Sequence, residues 1–202
     1  MPDPLNSNNA YGVAKRAAEH QHDYLRRAVL HPHRLRYFAG AAENLAAIYR
    51  SQFRMPVSTI RPFTFAGPYQ ALDRPWALNN FLRDILTGSD VRIHGDGSAR
   101  RSYLYGSDAA WWTLAALVNG VDGATYNIGS PTPVTHLELV ELICQQVPTK
   151  PRVVLNTMPS RQAMQDDLFP DTSLTQKSLG VAQTCSLEQT VHKAWRWFAK
   201  PN

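Results

Sequence analysis

Tyr11 and Lys15 lie four positions apart near the start of the chain, and this spacing can build a proton-transfer site. On a helix, positions i and i+4 share a face, one turn apart. A free tyrosine has a pKa of about 10, too high for a base at neutral pH, but a neighbouring ammonium lowers that pKa by favouring the phenolate. Such a pair can donate and accept protons, and the lysine can bind ligand hydroxyls. An ordinary amphipathic helix with an exposed lysine explains the same residues, so the spacing alone leaves both interpretations open.

The length and composition predict a soluble protein of one domain or slightly more. The chain has 202 residues, of which 44% are hydrophobic, enough for a sizeable core. No apolar run reaches the length of a membrane span, and residues 1–9 are polar, so neither a membrane partner nor a signal peptide is predicted. Cys144 and Cys185 have no metal-binding spacing, which indicates a reduced, cytoplasmic setting. The formal charge of +5 suits an anionic substrate, whereas the lack of a basic run interleaved with aromatics argues against nucleic acid.

Predicted strands and helices alternate along the chain, which is the pattern of an α/β fold. The predicted strands are 57–61, 91–94, 102–105, 125–128 and 153–155. The predicted helices are 77–87, a helix capped by Ser107 or Asp108 and ending near 118, 135–147 with a Thr135/Glu138 capping box, and 186–198 capped by Ser186. Residues 156–175 are polar without a clear period, so no element is predicted there. Trp111 and Trp112 are expected in the core.

The segment His20–Glu43 is rich in histidine and arginine and breaks this alternation. Its His31-Pro32-His33 triplet interrupts any helix that would run through it. The triplet Ala17-Ala18-Glu19 recurs as Ala41-Ala42-Glu43, and removing the residues from 20 to 43 would leave one amphipathic helix. Residues 20–43 are therefore predicted to be an insertion. The histidines invite a metal site, but no cysteine or carboxylate cluster accompanies them, so no metal is predicted.

Five segments occur in the order and spacing of one enzyme family. They are Tyr11-x-x-x-Lys15, Arg61-Pro62-Phe63-Thr64-Phe65-Ala66-Gly67-Pro68, the turn Gly95-Asp96-Gly97 followed by Arg101 and Ser102-Tyr103-Leu104-Tyr105, Tyr126-Asn127-Ile128-Gly129, and Leu179-Gly180 followed by Ser186-Leu187-Glu188. The chain thus resembles the C-terminal portion of an extended short-chain dehydrogenase/reductase of the nucleotide-sugar epimerase/dehydratase family. The resemblance implies an incomplete Rossmann-like, doubly wound sheet in residues 1–68 and a small α/β subdomain in 69–202 that mainly binds the nucleotide sugar.

The resemblance also assigns catalytic and cofactor roles by position. Tyr11 would remove or return the proton of a sugar hydroxyl, and Lys15 would lower the pKa of Tyr11 and hold the nicotinamide ribose. An NAD or NADP cofactor would carry the redox chemistry, which would start with oxidation at the sugar C4. Phe63 would lie where the nicotinamide and the substrate meet. The same residues would serve an epimerase, a dehydratase or a nucleotide-sugar 4-reductase.

Four residues would contact the nucleotide-diphosphate sugar. Arg101 matches the arginine that grips the diphosphate, a task suited to its forked donors, although a surface salt bridge is the alternative interpretation. Thr64 stands where the family usually has an asparagine, and it offers a hydroxyl but no amide. Asn79 and Asn80 lie near the family's substrate-facing helix.

The chain has no Gly-x-x-Gly-x-x-Gly turn, with which full-length relatives bind the cofactor pyrophosphate. We therefore expect weak cofactor binding by this chain alone. A non-catalytic remnant or a sugar-nucleotide-binding module is the alternative to an active enzyme. Full-length relatives use the Tyr-Lys helix in a homodimer interface, and the insertion after Lys15 is expected to impair dimerisation.

Overall fold

The computed structural model describes residues 32–156 and 167–200. Tyr11, Lys15 and residues 20–31 of the predicted insertion lie outside them. The described residues divide into two units, one formed by 32–59 with 121–125 and the other by 60–120 with 126–200. The boundary predicted after residue 68 stays a prediction.

The first unit is built around helix α1 (Pro32–Phe53). Pro32 is its first residue, a position where the missing N–H costs no helical hydrogen bond. The helix runs on through Glu43, so residues 32–43 are helical, while the assignment of 20–43 as an insertion stays a prediction. Near the helix end, Arg50 Nε donates to Asp122 Oδ1 at 2.8 Å, and the same oxygen accepts the Val57 N–H at 3.0 Å. Asp122 thereby fastens the helix and the chain after it to residues 121–125.

Four pairs of short strands form the described sheets. They are β1 (Thr59–Pro62) with β6 (Thr125–Ile128), β2 (Phe65–Ala66) with β5 (Leu104–Tyr105), β3 (Val91–His94) with β8 (Val153–Asn156), and β4 (Arg100–Arg101) with β7 (Val134–Thr135). The second and third pairs are parallel and the fourth is antiparallel. Parallel strands need crossover connections, which helices supply, so the predicted α/β class is confirmed.

The helices of the second unit cover the core. They are α2 (Ala77–Leu86), α3 (Gly106–Asn119), α4 (His136–Gln146), α5 (Ser173–Leu179) and α6 (Leu187–Phe198). Helices α2, α4 and α6 share one hydrophobic cluster with β3, in which the large side chains with no exposed surface are Leu82, Val91, Ile93, Leu139, Ile143 and Val191. Burial of each such side chain contributes about 1.5–3 kcal/mol, so the cluster holds α4 and β3 firmly in place. No helix among the described residues is long and apolar enough to cross a membrane.

Helix starts agree with the predictions where a capping box encodes them. Thr135 with Glu138 forms the predicted box at α4, and Ser186 with Gln189 forms one at α6. The prediction that Ser107 or Asp108 caps α3 is wrong, because this helix begins at Gly106 and has no side-chain cap.

Very short elements escaped the sequence analysis. Of the strand predicted at 102–105, only Leu104–Tyr105 (β5) is a strand, and the unpredicted β4 lies just before it, separated from β5 by Ser102 and Tyr103. Strands β2 and β7 and helix α5 were not predicted. A two-residue strand has no measurable period, so its existence depends on the partner strand that tertiary structure brings beside it.

The adjacent tryptophans of α3 face opposite environments. Trp112 has no exposed surface, and its Nε1 donates to the Ala182 carbonyl at 3.3 Å. Trp111 is 58% exposed, so the expectation that both lie in the core is wrong for this residue. Neighbouring helical positions point about 100° apart, which puts one ring in the core and the other on the surface.

Candidate functional site

Arg101 lies on a strand that is held along both edges. On one edge, β4 pairs with β7 in the register Arg100 to Thr135 and Arg101 to Val134. On the other edge, Arg101 forms a parallel bridge with Leu168, whose N–H donates to the Arg100 carbonyl at 3.1 Å. The backbone that carries the Arg101 side chain is therefore fixed from two sides.

Two neighbours of Arg101 come from the chain after β4 and from the chain after its partner β7. Tyr103, two residues after Arg101, lies close enough for the guanidinium charge to act on its phenol. On the neighbouring chain, the His136 N–H donates to the Ala99 carbonyl at 3.2 Å, so His136 lies diagonally opposite Arg101.

The positive charge of the Arg101 guanidinium affects the pKa of both His136 and Tyr103. Burial and then the charge of Arg101 lower the pKa of His136, and burial raises the pKa of Tyr103 while Arg101 opposes the rise. Within the part of the chain that the structure describes, His136 Nε2 is buried and has no hydrogen-bond partner. A neutral imidazole and a neutral phenol thus flank a permanent cation, an arrangement that favours an anionic ligand over a second cation.

Arg100, which precedes Arg101 on β4, forms an ion pair with Asp167. The Asp167 carboxylate accepts from Arg100 Nη2 at 2.6 Å, from Arg100 Nε at 3.0 Å and from the Arg100 backbone N–H at 3.1 Å. The Arg100 guanidinium also lies 5.2 Å from the centre of the Phe169 ring. These contacts tie residues 167–169 to β4.

Phe63 and Thr64 follow the end of β1. The Phe63 N–H donates to the Ile128 carbonyl at 2.9 Å, so β1 and β6 end at the same edge. A Cβ placed on Gly129 would lie 3.0 Å from the Phe63 Cβ and 2.7 Å from the Pro170 Cγ, which shows how tightly this edge is packed. The Thr64 carbonyl accepts the Leu104 N–H at 3.0 Å. Cofactors of open α/β sheets bind beyond the carboxyl ends of parallel strands, so the location of Phe63 fits a nicotinamide cofactor.

Asn79 and Asn80 have structural partners in the described residues. Asn79 is 1% exposed, and its Nδ2 donates to the Ala71 carbonyl at 2.9 Å. Asn80 Oδ1 accepts from Arg83 Nη2 at 2.9 Å, and Arg83 also donates to the Leu72 carbonyl at 3.2 Å. The start of α2 therefore fastens the preceding loop, and substrate contact by either asparagine stays a prediction.

Asp108 is a buried anchor and neither a helix cap nor an exposed acid. It is 3% exposed and accepts hydrogen bonds from the Thr184 hydroxyl, from the Thr184 N–H at 3.0 Å and from the Cys185 N–H at 3.1 Å. These bonds tie the start of α3 to the loop before α6.

A cavity of about 740 Å³ lies beside this loop, and its lining includes Tyr103 and Val134, which are also neighbours of Arg101. Its polar lining is largely used within the protein: Ser130 Oγ bonds to Gln183 Oε1 at 2.8 Å, and Gln183 Nε2 donates to the Cys185 carbonyl at 2.8 Å. Few groups remain to hold a ligand, so we assign no site there. No cluster of metal-ligating side chains occurs among residues 32–156 and 167–200.

The structure thus places some of the predicted residues and adds new ones. Arg101 lies on a strand that is paired along both edges, and Phe63 and Thr64 follow the end of β1. The Tyr11 and Lys15 pair lies outside the described residues. His136 and Asp167 were missed. Nothing in the local sequence marks either residue, because each reaches β4 only through strand pairing.

The fold defines a protein of the Rossmann-like α/β class, in which Arg101 is a candidate anion-binding residue. Residues 40–129 match the family described as "NAD dependent epimerase/dehydratase family". The resemblance inferred from the motifs is confirmed: the chain is related to the nucleotide-sugar enzymes of the extended short-chain dehydrogenases/reductases.

Curated relatives support this relationship. A UDP-N-acetyl-alpha-D-glucosaminuronate decarboxylase of Bacillus cytotoxicus is 29% identical over 157 residues, which cover 71% of this chain and 46% of the relative. A dTDP-glucose 4,6-dehydratase of Neisseria gonorrhoeae is 26% identical over 168 residues, covering 78% of this chain and 48% of the relative. The chain therefore spans about half the length of these two relatives, which fits a C-terminal portion.

Solved structures confirm the fold. The UDP-glucose 4-epimerase of Thermotoga maritima superposes with a TM-score of 0.71 at 22% identity and covers 80% of this chain and 52% of its own. The protein Pal of Bacillus thuringiensis gives a TM-score of 0.70 at 28% identity with the same coverage of 80% and 52%. The predicted Rossmann-like architecture is thereby confirmed.

Proposed function

We propose that this protein binds a nucleotide-diphosphate sugar through Arg101 and takes part in its NAD(P)-dependent epimerisation or dehydration. The observation that carries the proposal is the position of Arg101. This cation lies on a strand that is paired along both edges, beside the neutral side chains of His136 and Tyr103. A guanidinium binds a diphosphate with two parallel hydrogen bonds, and it gains most where its backbone is already fixed. The related decarboxylase and dehydratase are both named for nucleotide sugars.

The chemical roles follow from the residues of the motifs. Tyr11 would take the proton from the sugar hydroxyl at C4, and Lys15 would hold that phenol near working pH and bind the nicotinamide ribose. NAD or NADP, when bound, would accept and return the hydride. Phe63 would shield the reacting carbon from water, and Thr64 would face the substrate phosphates. Asn79 and Asn80 complete the proposed substrate-facing set.

The first experiment measures UDP binding by calorimetry with the full chain and an Arg101→Met variant. We expect the variant to bind about tenfold or more weakly, since a charge-assisted hydrogen bond to phosphate is lost. Arg92→Met on β3 is the matched control, because Arg92 is an exposed arginine on a nearby strand. Equal affinity in Arg101→Met and Arg92→Met, or no UDP binding by the unaltered chain, would overturn the substrate assignment.

A second experiment tests for catalysis. The chain is incubated with UDP-glucose or dTDP-glucose and NAD, and the sugar products are separated by chromatography. Conversion that Tyr11→Phe abolishes supports an enzyme, whereas UDP binding without conversion identifies a sugar-nucleotide-binding module. A tight NAD titration of the chain would contradict the expected weak cofactor binding.

The cellular location and the oligomeric state of the protein are part of the same proposal. A cytoplasmic location agrees with the free thiols of Cys144 and Cys185. A homodimer is what the resemblance implies for full-length relatives, and sedimentation of the chain beside a variant lacking residues 20–43 tests whether this segment impairs it.

A further inference from the structure

Cys185 and Lys193 bring a thiol and an amine together at the start of α6. The Lys193 Nζ lies 3.5 Å from the Cys185 Sγ and 4.4 Å from the centre of the Tyr105 ring. Cys185 is 4% exposed, whereas Lys193 is an exposed residue. An exposed lysine ordinarily keeps its ammonium in water, so its contact with a buried sulfur calls for an explanation that the proposed substrate site does not supply.

The Cys185 sulfur is held beside this amine by the surrounding backbone and by α6. The Cys185 N–H donates to the buried carboxylate of Asp108 at 3.1 Å. In the first turn of α6, the Thr190 hydroxyl lies 3.6 Å from the sulfur, and a 2.8 Å bond to the Ser186 carbonyl fixes that hydroxyl. The thiol is therefore the fixed member of the pair, and the flexible four-carbon stem of Lys193 is the member that can move.

A small oxidant has a route to this sulfur. Cys185 lines the cavity of about 740 Å³ beside the loop, a space far larger than the roughly 30 Å³ that a water molecule occupies, so hydrogen peroxide fits there. Cys144, the other cysteine of the chain, is half-buried, and burial and then the charge of Glu141 raise the pKa of its thiol. Because the thiolate is the form that reacts with peroxide, these surroundings disfavour oxidation of Cys144.

We propose that Cys185 and Lys193 are a peroxide-sensitive modification site, in which oxidised Cys185 is captured by Lys193 as a covalent sulfur–nitrogen bond. A cysteine sulfenic acid condenses with a nitrogen nucleophile to a sulfenamide, and an amine 3.5 Å from the sulfur is placed for that reaction. The bond would join the loop before α6 to the helix and would remove the Lys193 charge from the Tyr105 ring. This inference does not depend on the proposed function of Arg101.

The reaction consumes one peroxide and releases two waters. The Cys185 sulfur attacks one peroxide oxygen, the O–O bond breaks, and the other oxygen leaves as water with the thiol proton. The sulfur thereby loses two electrons to the peroxide and becomes a sulfenic acid. Lys193 then gives its extra proton to solvent, and its nitrogen attacks the sulfur. An S–N bond forms, the S–O bond breaks, and the hydroxyl leaves as water with a proton from the nitrogen.

Tryptic mapping of the full chain detects the bond directly. Trypsin cleaves the reduced protein after Lys177 and Lys193 and so releases the peptide 178–193. A Lys193 whose nitrogen is bonded to sulfur is no longer a cleavage site, so dilute hydrogen peroxide should replace that peptide by 178–196, which ends at Arg196 and lacks two hydrogens. Dithiothreitol added before digestion should restore 178–193, because a thiol attacks the oxidised sulfur and returns both side chains.

Three controls separate this pair from general oxidation. Lys193→Arg keeps the cation but offers a poor nucleophile, so it should form no bond, and its Cys185 sulfenic acid should be trapped by dimedone instead. Cys144→Ser should leave the 178–196 product unchanged. The chain unfolded in urea before the same peroxide dose should give none of that product, because the 3.5 Å contact belongs to the folded protein. Circular dichroism checks that both variants fold.

The outcomes distinguish a specific pair from an unspecific reaction. A reversible 178–196 product that needs the folded chain and Lys193, with Cys144 largely unmodified, supports the proposal. Equal oxidation of the two cysteines would overturn it. A gain of oxygen at Cys185 of the unaltered chain without the bond to Lys193 would do the same, as would an equal yield of the linked peptide from the urea-unfolded protein.

Discussion

Arg101 and His136 are diagonal neighbours across the β4–β7 pair. Arg101 stands opposite Val134, and His136, two residues later, donates its N–H to the Ala99 carbonyl at 3.2 Å. Diagonal neighbours of this kind remain within reach of long side chains. The consequence is electrostatic, since the permanent charge of Arg101 adds to burial in lowering the pKa of His136.

This pair predicts a pH dependence of stability. The folded state favours neutral His136, so the unfolded chain binds more protons at any pH between the lowered pKa and the ordinary value of 6.5. Stability should therefore fall as the pH drops below 6.5, and His136 should have no effect above that value. Urea midpoints at about pH 7.5 and about pH 5.5 should show a smaller acid loss for His136→Gln than for the unaltered chain. Exposed His94 provides the control, and an equal benefit from His94→Gln would contradict the prediction.

The turn Gly95-Asp96-Gly97 offers a matched pair of glycines. Both have positive φ angles, +82° at Gly95 and +79° at Gly97. A Cβ on Gly95 would meet nothing within 4 Å, whereas a Cβ on Gly97 would lie 2.6 Å from Leu137 Cγ at the start of α4. We expect Gly95→Ala to cost about 1 kcal/mol from backbone strain, and Gly97→Ala to cost about 1 kcal/mol more from the clash. Equal unfolding free energies for the two variants would count against this difference.

Asp108 should contribute strongly to stability, because its buried carboxylate accepts hydrogen bonds from Thr184 and Cys185. Asp108→Ala leaves the Thr184 hydroxyl and two backbone N–H groups without their buried acceptor, and we expect a loss of about 3 kcal/mol in the unfolding free energy. Asp73→Ala, at an exposed position, should change the unfolding free energy by less than about 0.5 kcal/mol. Similar losses for both variants would show that the anchor is unimportant.

The two tryptophans of α3 give a third comparison. Trp112→Ala should cost about 3–5 kcal/mol, because it opens a cavity in the core and removes the bond to Ala182. Trp111→Ala should be nearly neutral, since more than half of that ring already faces solvent. Thermal unfolding of the two variants measures the difference, and a large loss for Trp111→Ala would reveal a partner on that face of the helix.

Much of the fold could be read from local chemistry. The capping residues Thr135 and Ser186 marked the starts of α4 and α6, and the short strand-like run before the Gly95-Asp96-Gly97 turn predicted β3 with its correct bounds. The motif around Arg101 pointed to the family, which the comparisons confirmed, and to an anion-binding role, which stays a prediction. Tyr11 and Lys15 stay a prediction, since both lie outside the described residues.

The sequence by itself thus determined the α/β class, helices α2, α3, α4 and α6, and the identity of the candidate anion-binding arginine. Only the tertiary structure decided which residues surround that arginine. Caps and amphipathic periods are encoded over a few neighbouring residues, whereas β4 and β7 are two residues each and carry no such signal. Their pairing, and the bridge to Leu168, brought His136 and Asp167 to Arg101, since strand contacts are chosen by the packing of the whole core.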